Sequence, residues 1–297
     1  MSGRDVINRY HKAIAISDYD VVTELHAPEV VVWMSGRSIV SGRFQGREAL
    51  FAHMTRHVLG PLDVAAEDYV KGVRVIVDDG DYVAVIFHGG LPNLTGGRYD
   101  QYYLQIFRMG DGLIQEIVEM FDTVMFEEGV AGHHLREPRQ RPASPFVIAS
   151  PMSGAESRDH MVSLTQAWQA AVAANDGASL AALTGASCTL EVIGSTPLSG
   201  VGSFDVERLQ MIMAGGTGWS RLVCADRNGA VLLMGSADPS YTQFYGVVLE
   251  AEGDTLGRVS VFWDTAAAEA RLFDNPLLPD TTRSIMPPFD PREAFIR

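Results

Sequence analysis

The sequence predicts an α+β protein built from two similar halves in tandem. Residues 99–123 align without a gap to 241–265, and residues 18–36 align to 176–194. Each half begins with segments whose apolar residues recur at helical spacing. Each half ends in apolar runs joined by the hairpin turn sequences MGDG or AEGD. Helices followed by an antiparallel meander are typical of the α+β class.

The alignment also predicts the domain boundaries. We expect domains at 1–132 and 158–272, separated by a proline-containing linker at 133–157 and followed by an extended, proline-rich tail at 273–297. The first half is longer, and its extra residues fall around 53–71 and in the loop 89–98. The identical pairs are Tyr99/Tyr241, Gln101/Gln243, Tyr103/Tyr245, Asp122/Asp264 and Thr123/Thr265.

Each half reads in the same order. A second short helix follows the first, then a strand (EVVVWM or CTLEVI), a third helix and three strands. The predicted apolar face of the first helix consists of Val6, Tyr10, Ala13 and Ile14 in one half and of Met161, Leu164, Trp168 and Ala171 in the other.

Composition and net charge limit the classes of partner that the protein is expected to bind. The 297 residues are 46% apolar and 20% charged, as in a globular protein. A net charge of −14 argues against nucleic acid, and no apolar run reaches the ~18–20 residues that span a bilayer. The start lacks the apolar core of a signal peptide, so we expect a cytoplasmic protein. Cys188 and Cys224 have no metal-ligand spacing near them, and we expect no metal site.

The element order and the ending DGLIQEIVEMFDT resemble the SnoaL-like families of the nuclear transport factor 2 / ketosteroid isomerase superfamily. The resemblance covers about 1–130 and 158–272. It implies two cone-shaped α+β barrels in tandem, forming a pseudo-dimer within one chain. In each barrel a curved sheet would wrap a long helix and leave an apolar pocket at its open end. Relatives include isomerases, dehydratases, polyketide cyclases and lyases that commonly act without a cofactor, so none is expected.

Carboxyl groups near the end of the last strand are the first catalytic candidates. Strand alternation puts Ile117, Glu119 and Phe121 on one face. In the epoxide-hydrolase branch of the family the motif WRDYFD aligns with IVEMFD here, which implies the working carboxylate at Glu119 and a second acid at Asp122. Asp122 has an alternative that we favour, in which it caps a turn at the strand end, as Asp264 would.

Three residues on neighbouring strands complete the expected site. His88 ends the strand DYVAVIFH, where catalytic histidines of the family occur, and it is either a general base or a surface histidine. Asp100 and Tyr102 share a face with Leu104 and Ile106. The aligned face in ketosteroid isomerase lines the pocket, so either could donate to an oxyanion, although Tyr102 could equally be a half-buried strand aromatic.

Substrate contacts are expected from five further positions. Tyr10, Trp33 and Phe121 could form pocket wall, although aromatics at such spacings are usually core. Arg98 could bind an anionic substituent. His53 and His57 share a helix face without a metal motif, and His53 could reach the pocket.

The second half lacks most of these groups and is expected to be degenerate. Val261 replaces Glu119, Thr242 replaces Asp100, and Gly235 lies near the position of His88. The segment LEVIGSTPLSG resembles one in ketosteroid isomerase, which implies a second-site base candidate at Glu191, where the first half has Trp33.

The resemblance implies a cofactor-independent lyase or isomerase whose first half is catalytic. Its substrate would be a small, mostly apolar oxygenated compound, aromatic or polyketide-like. Proton abstraction would lead to dehydration, ring closure or retro-aldol cleavage. The alternative is a non-catalytic ligand-binding or scaffolding pseudo-dimer. Association into larger homo-oligomers is left open by the sequence.

Overall fold

The computed structural model describes residues 1–140, 150–214, 216–238, 240–279 and 289–296. Residues 141–149 of the predicted linker, and residues 280–288 and 297 of the predicted tail, lie outside the described residues. So do Gly215 and Pro239.

The first half contains four short or medium helices and seven strands in its described part. Helix α1 begins in a capping box, in which Ser2 and Asp5 exchange side-chain and backbone hydrogen bonds. The elements are α1 Gly3–Ala15, α2 Tyr19–Glu24, β1 His26–Met34, β2 Gly42–Gln45, α3 Arg47–Met54 with a π-helical turn Thr55–Leu59, β3 Val70–Asp78, β4 Tyr82–Pro92, β5 Arg98–Gly110, β6 Leu113–Phe121, α4 Thr123–Phe126 with a π-helical turn Glu127–Ala131, and β7 His134–Leu135.

The second half repeats the order. Its first helix buries Met161, Leu164, Trp168 and Ala171, as the periodicity predicts. The elements are α5 Arg158–Ala173, α6 Gly177–Leu183, β8 Thr184–Val192, β9 Gly200–Ser203, α7 Val206–Ile212, β10 Thr217–Ala225, β11 Gly229–Ser236, β12 Phe244–Glu252, β13 Thr255–Trp263, α8 Thr265–Leu272 and β14 Leu277–Leu278.

Within the described residues each half forms one six-stranded sheet with the same topology. The orders are β2-β1-β6-β5-β4-β3 and β9-β8-β13-β12-β11-β10. The β1–β6 and β8–β13 pairs are parallel, and the remaining pairs are antiparallel. The prediction of three strands after the third helix was wrong. Four strands of the six-stranded sheet follow it, because β3 and β10 each form a further hairpin with the next strand, and a two-residue strand comes later in each half. The short β2 and β9 were also missed.

The two faces of each sheet pack against different parts of the molecule. The inner face packs on the first helix and makes one hydrophobic core per half. The outer faces of the two sheets pack on each other and make a third core between the halves. A Cβ atom placed at Gly246 would lie 2.6 Å from both Leu104 and Met120, so the sheets approach closely there. The chain is therefore two cone-shaped α+β barrels in tandem, joined as a pseudo-dimer.

Candidate functional site

A cavity of about 260 Å³ opens inside the first cone, between α1, α2, α3 and the inner face of the sheet. Its walls are mainly aliphatic and aromatic, with a small set of polar groups. The residues discussed below that line it are Tyr10, His26, Val32, Met34, Phe51, Tyr69, Phe87, Tyr103, Gln105 and Glu119. A largely apolar cavity with a few converging polar groups is the usual form of a small-molecule site.

Glu119 points into this cavity because of its place on β6. Ile117 and Phe121, two residues away on either side, belong to the core of the first cone, as the alternation predicts. Glu119 pairs directly with Gln105 on β5, so the two side chains lie side by side on the inner face.

The environment of Glu119 favours its neutral form. Glu119 is partly exposed and lines the cavity. Burial raises the pKa of Glu119 to about 7, although a hydrogen bond from Gln105, at 2.5 Å, works in the opposite direction. A carboxyl group with such a pKa can both accept and donate a proton near neutral pH.

Tyrosine hydroxyl groups form a hydrogen-bonded chain beside Glu119. The Tyr69 and Tyr99 hydroxyls lie 2.5 Å and 2.9 Å from that of Tyr103. Burial, reinforced by the charge of Glu119, raises the pKa of all three, and of Tyr10, well above the ordinary value. These hydroxyls therefore stay protonated and can donate hydrogen bonds to a ligand oxygen.

Two buried histidines stand beside the cavity. His11 contacts the Ile7 carbonyl at 3.0 Å and Gln105 at 3.1 Å, and His26 contacts the Val22 carbonyl at 2.7 Å. Burial lowers the pKa of each histidine to about 4, so both are neutral at physiological pH.

His88, Asp100 and Tyr102 do not share this cavity, contrary to expectation. They lie on the outer face of the sheet, where His88 stacks on Tyr102 with ring centroids 4.4 Å apart. Tyr102 belongs to the core between the halves, and Asp100 pairs with Arg98 at 3.1 Å. The structure therefore brings these three together but separates them from Glu119 by the thickness of the sheet.

Of the five residues expected to contact the substrate, some lie on the inner face of the sheet and the others lie elsewhere. Tyr10 lines the cavity, and Phe121 lies on the same inner face, packed against Tyr103 and Phe126. Trp33 faces the core between the halves, where its indole donates to Glu116 at 2.9 Å. His53 donates to the Ile39 carbonyl at 2.9 Å, outside the cavity lining. Arg98 pairs with Glu67 at 2.6 Å on the surface.

Asp122 is held by structural contacts. Its carboxylate accepts from the backbone N–H of Met125 and so caps α4, as Asp264 caps α8 through Ala267. It also accepts from the hydroxyls of Ser195 and Thr265 in the other half, at 2.6 Å and 2.5 Å. These contacts agree with the capping interpretation and leave Asp122 away from the cavity.

The interior of the second cone lacks three of the polar side chains of the first, although it keeps the tyrosines Tyr241 and Tyr245. At the positions of Tyr10, Gln105 and Glu119 it has Trp168, Val247 and Val261, all fully buried. Glu191, the second-site candidate, lies on the outer face, 3.5 Å from Arg258 and 3.9 Å from Arg74. The alternation of β8 explains this, because Leu190 and Val192 take the inner face.

A different cavity, of about 300 Å³, lies between α5, α6 and α7. Its lining includes Leu180, Leu209 and Met213 and has no titratable side chain among the described residues. This composition gives it no candidate for acid–base chemistry.

The sequence analysis missed Tyr69, Tyr103 and Gln105. A usable signal existed for one of them: Tyr103 and Tyr245 are an identical pair in the repeat. In the described part of the chain no group of three or more His, Cys, Asp or Glu side chains is placed to hold a metal ion. No helix there is long and apolar enough to cross a membrane.

Residues 7–117 match the family model of the SnoaL-like domain. Solved structures with similar folds include a protein from a soil-derived mobile gene cassette, with 26% identity over 42% of this chain and 92% of that chain (TM-score 0.35). An NTF2-like protein from Burkholderia xenovorans has 14% identity over 42% and 92% (TM-score 0.35). A Pseudomonas putida protein provisionally assigned as a polyketide cyclase has 19% identity over 44% and 98% (TM-score 0.36). A search of curated proteins found no match.

Proposed function

We propose that the SnoaL-like domain of the first half is a cofactor-independent lyase or isomerase acting on a small oxygenated compound. The observation that carries this proposal is the position of Glu119, a carboxyl with a pKa of about 7 in the wall of an otherwise apolar cavity. General acid–base groups work best when their pKa lies near the working pH.

The tyrosine chain supplies the second element of the mechanism. When the Glu119 carboxylate removes a proton from the carbon beside a carbonyl, the electron pair moves to the carbonyl oxygen. The Tyr69 and Tyr103 hydroxyls are on the cavity wall, where they would donate to that oxygen. Return of the proton elsewhere gives isomerisation, and loss of a leaving group gives dehydration or retro-aldol cleavage.

The walls and size of the cavity support a small, ring-containing substrate. Phe51 and Phe87 present aromatic surface, and Val32 and Met34 present aliphatic surface. A volume of about 260 Å³ is slightly below the ~300–1,000 Å³ of typical ligand pockets. We therefore favour an aromatic or polyketide-like compound of one or two rings.

The test is enzyme-catalysed hydrogen exchange in a panel of small aromatic ketones, including 2-tetralone. Deuterium uptake from D₂O at pH 8, where Glu119 is largely ionised, is followed by mass spectrometry. Glu119→Gln should slow uptake by about 10²-fold or more, the usual range for a general acid–base group. Tyr103→Phe should slow it less, since Tyr69 can still donate.

His88→Gln is the control, because His88 lies on the outer face and should leave the rate unchanged. Equal rates for the wild type and Glu119→Gln would contradict the proposed chemistry.

A non-catalytic binding protein is the second candidate, favoured by Val261, which stands in the second half at the position of Glu119. Ketones that raise the melting temperature of the wild type without any deuterium uptake would support this alternative.

A further inference from the structure

Three polar side chains run in contact through the interior of the first cone. The His11 imidazole on α1 lies 3.1 Å from one end of the Gln105 amide, and the other end of that amide lies 2.5 Å from the Glu119 carboxyl. The second ring nitrogen of His11, Nδ1, lies 3.0 Å from the backbone carbonyl of Ile7. The protonation of each group is therefore constrained by its neighbour.

The chain of constraints begins at Ile7. A carbonyl oxygen can only accept, so Nδ1 of His11 carries the proton. The imidazole is 4% exposed and packs edge-on against Tyr10, Phe87 and Phe107, an apolar setting in which it stays neutral. A neutral imidazole protonated at Nδ1 has a lone pair at Nε2. It therefore requires a donor from Gln105, and that donor is the amide NH₂ group.

In the structure the amide nitrogen of Gln105 faces Glu119 and its oxygen faces His11. A neutral His11 protonated at Nδ1 requires the reverse orientation, with the NH₂ group on His11 and the carbonyl oxygen toward Glu119. Rotating the Gln105 amide by 180° exchanges its oxygen and its nitrogen without changing its shape. The hydrogen-bonding partners therefore decide which orientation is adopted. Two oxygens in contact need a proton between them.

We propose that Glu119 is a protonated acid in the resting protein, and that His11 and Gln105 are positioning residues that hold it in this form. The proposal rests on the proposed function and narrows it to dehydration of a β-hydroxy ketone. The Glu119 O–H bond breaks and its proton goes to the substrate hydroxyl, which leaves as water as the C–O bond breaks. The carboxylate then takes the proton from the neighbouring carbon, whose electron pair forms the C=C bond. Glu119 ends protonated, as it began.

The other titratable groups that face Glu119 do not change charge between pH 5 and pH 9. Tyr10 on α1, Tyr69 before β3, and Tyr99 and Tyr103 on β5 have pKa values raised by burial. His26 on β1 is neutral above about pH 4. A titration midpoint measured at Glu119 in this pH range therefore reflects its contact with Gln105 and, through Gln105, with His11.

The experiment is an NMR titration of the full-length protein carrying ¹³C-labelled glutamate carboxyls and ¹⁵N-labelled histidine rings. We expect His11 to be neutral with its proton on Nδ1. In His11→Phe the amide is free to turn its NH₂ group to the carboxylate, so the Glu119 midpoint should fall by about one pH unit or more. The matched control is His26→Phe. This buried histidine has a similar bond to a backbone carbonyl, that of Val22, and is not part of the His11–Gln105–Glu119 chain, so the change should leave the midpoint in place.

An unchanged or higher midpoint in His11→Phe, or a His11 proton on Nε2 in the wild type, would overturn the proposal. The tautomer measurement decides the matter if His11→Phe does not fold. The Glu119 midpoint and the His11 tautomer are both measured without substrate. These measurements can fail while deuterium exchange persists, and deuterium exchange can fail while they succeed.

Discussion

At position 119 the first half carries a carboxyl where the second half carries the aliphatic side chain of Val261. The two residues occupy equivalent places on the inner faces of β6 and β13. The difference gives the first cone a group that titrates near neutral pH, in surroundings that oppose its charged form. The cost of ionising Glu119 in these surroundings should be measurable as a pH-dependent change in the free energy of unfolding.

Glu119→Gln should stabilise the protein increasingly as the pH rises. Burial raises the pKa of Glu119 from its ordinary value of 4.5 to about 7 in the folded state. Between these two pH values the folded state therefore holds a proton that the unfolded state has lost. The free energy of unfolding of the wild type therefore falls by up to about 3 kcal/mol as the pH rises from 4.5 to 7. Urea unfolding at pH 5 and pH 8 measures this. An equal gain in Glu119→Gln at both pH values would contradict the assignment.

At the residue scale, Glu119 and Tyr10 line the cavity, whereas Asp100 and Tyr102 do not, and the catalytic and binding roles of all four stay predictions. Motif and helix periodicity identified Glu119 and Tyr10 directly. The partners of Glu119 on β5 depend on which residues of that strand face inward, and no motif records this. Asp100 and Tyr102 were predicted because the aligned face in ketosteroid isomerase lines its pocket, but in this chain that face points outward.

A single extra residue decides which face of β5 points inward. Next to the turn, Gly110 pairs with Leu113 and Met109 with Ile114, but Arg108 pairs with Glu116, so Gln115 is a bulge. Without the bulge Tyr102 would pair with Phe121 and share its face. Gly257 is the equivalent bulge in β13. A one-residue shift exchanges the two faces of a strand, and turn sequences alone do not reveal it.

The Asp-Thr endings of β6 and β13 join the two halves. The Thr123 hydroxyl donates to Asp264 at 2.6 Å, and the Thr265 hydroxyl donates to Asp122 at 2.5 Å. Each hydroxyl also accepts a backbone N–H from the opposite half, from Ala266 and Val124 respectively. The repeated dipeptide is thus both a helix cap and a reciprocal contact across the pseudo-twofold axis.

Thr265→Val should destabilise the protein by about 1–3 kcal/mol, because it keeps the shape but leaves the Asp122 carboxylate and the Val124 N–H short of a buried partner. Chemical unfolding followed by circular dichroism measures the change. Thr95→Val, in an exposed loop, is the control and should stay within about 0.5 kcal/mol. A similar loss in both variants would count against a special role for the junction.

The whole architecture was predictable because the repeat presents the same element order twice. The family resemblance of that element order implied a sheet curved around a helix in each half, and the duplication implied a pseudo-dimer. The contacts between the outer faces were not predictable, since they depend on how two curved sheets meet. A buried cluster at this interface joins Arg74 of the first half to Glu191, Glu250 and Arg258 of the second.

Arg74→Met should destabilise the protein by about 3–5 kcal/mol. It removes one of two cations from a cluster with two buried carboxylates, and an uncompensated buried charge is costly. Urea unfolding gives the magnitude, and adding Glu250→Gln should restore part of the loss. Arg9→Met, at a half-exposed ion pair, serves as the control with a change below about 1 kcal/mol. Equal effects of the two single changes would contradict a structural role for the cluster.

The apolar interior of the second cone bears on how this chain can evolve. In a symmetric dimer of identical subunits every substitution occurs twice, so a cavity with a buried acid would weaken both subunits. Fusion removes that constraint. Trp168, Val247 and Val261 are buried in the second cone, while the first has Tyr10, Gln105 and Glu119 at the same positions, beside an open cavity. In a fused chain such a change in one half leaves the packing of the other half intact.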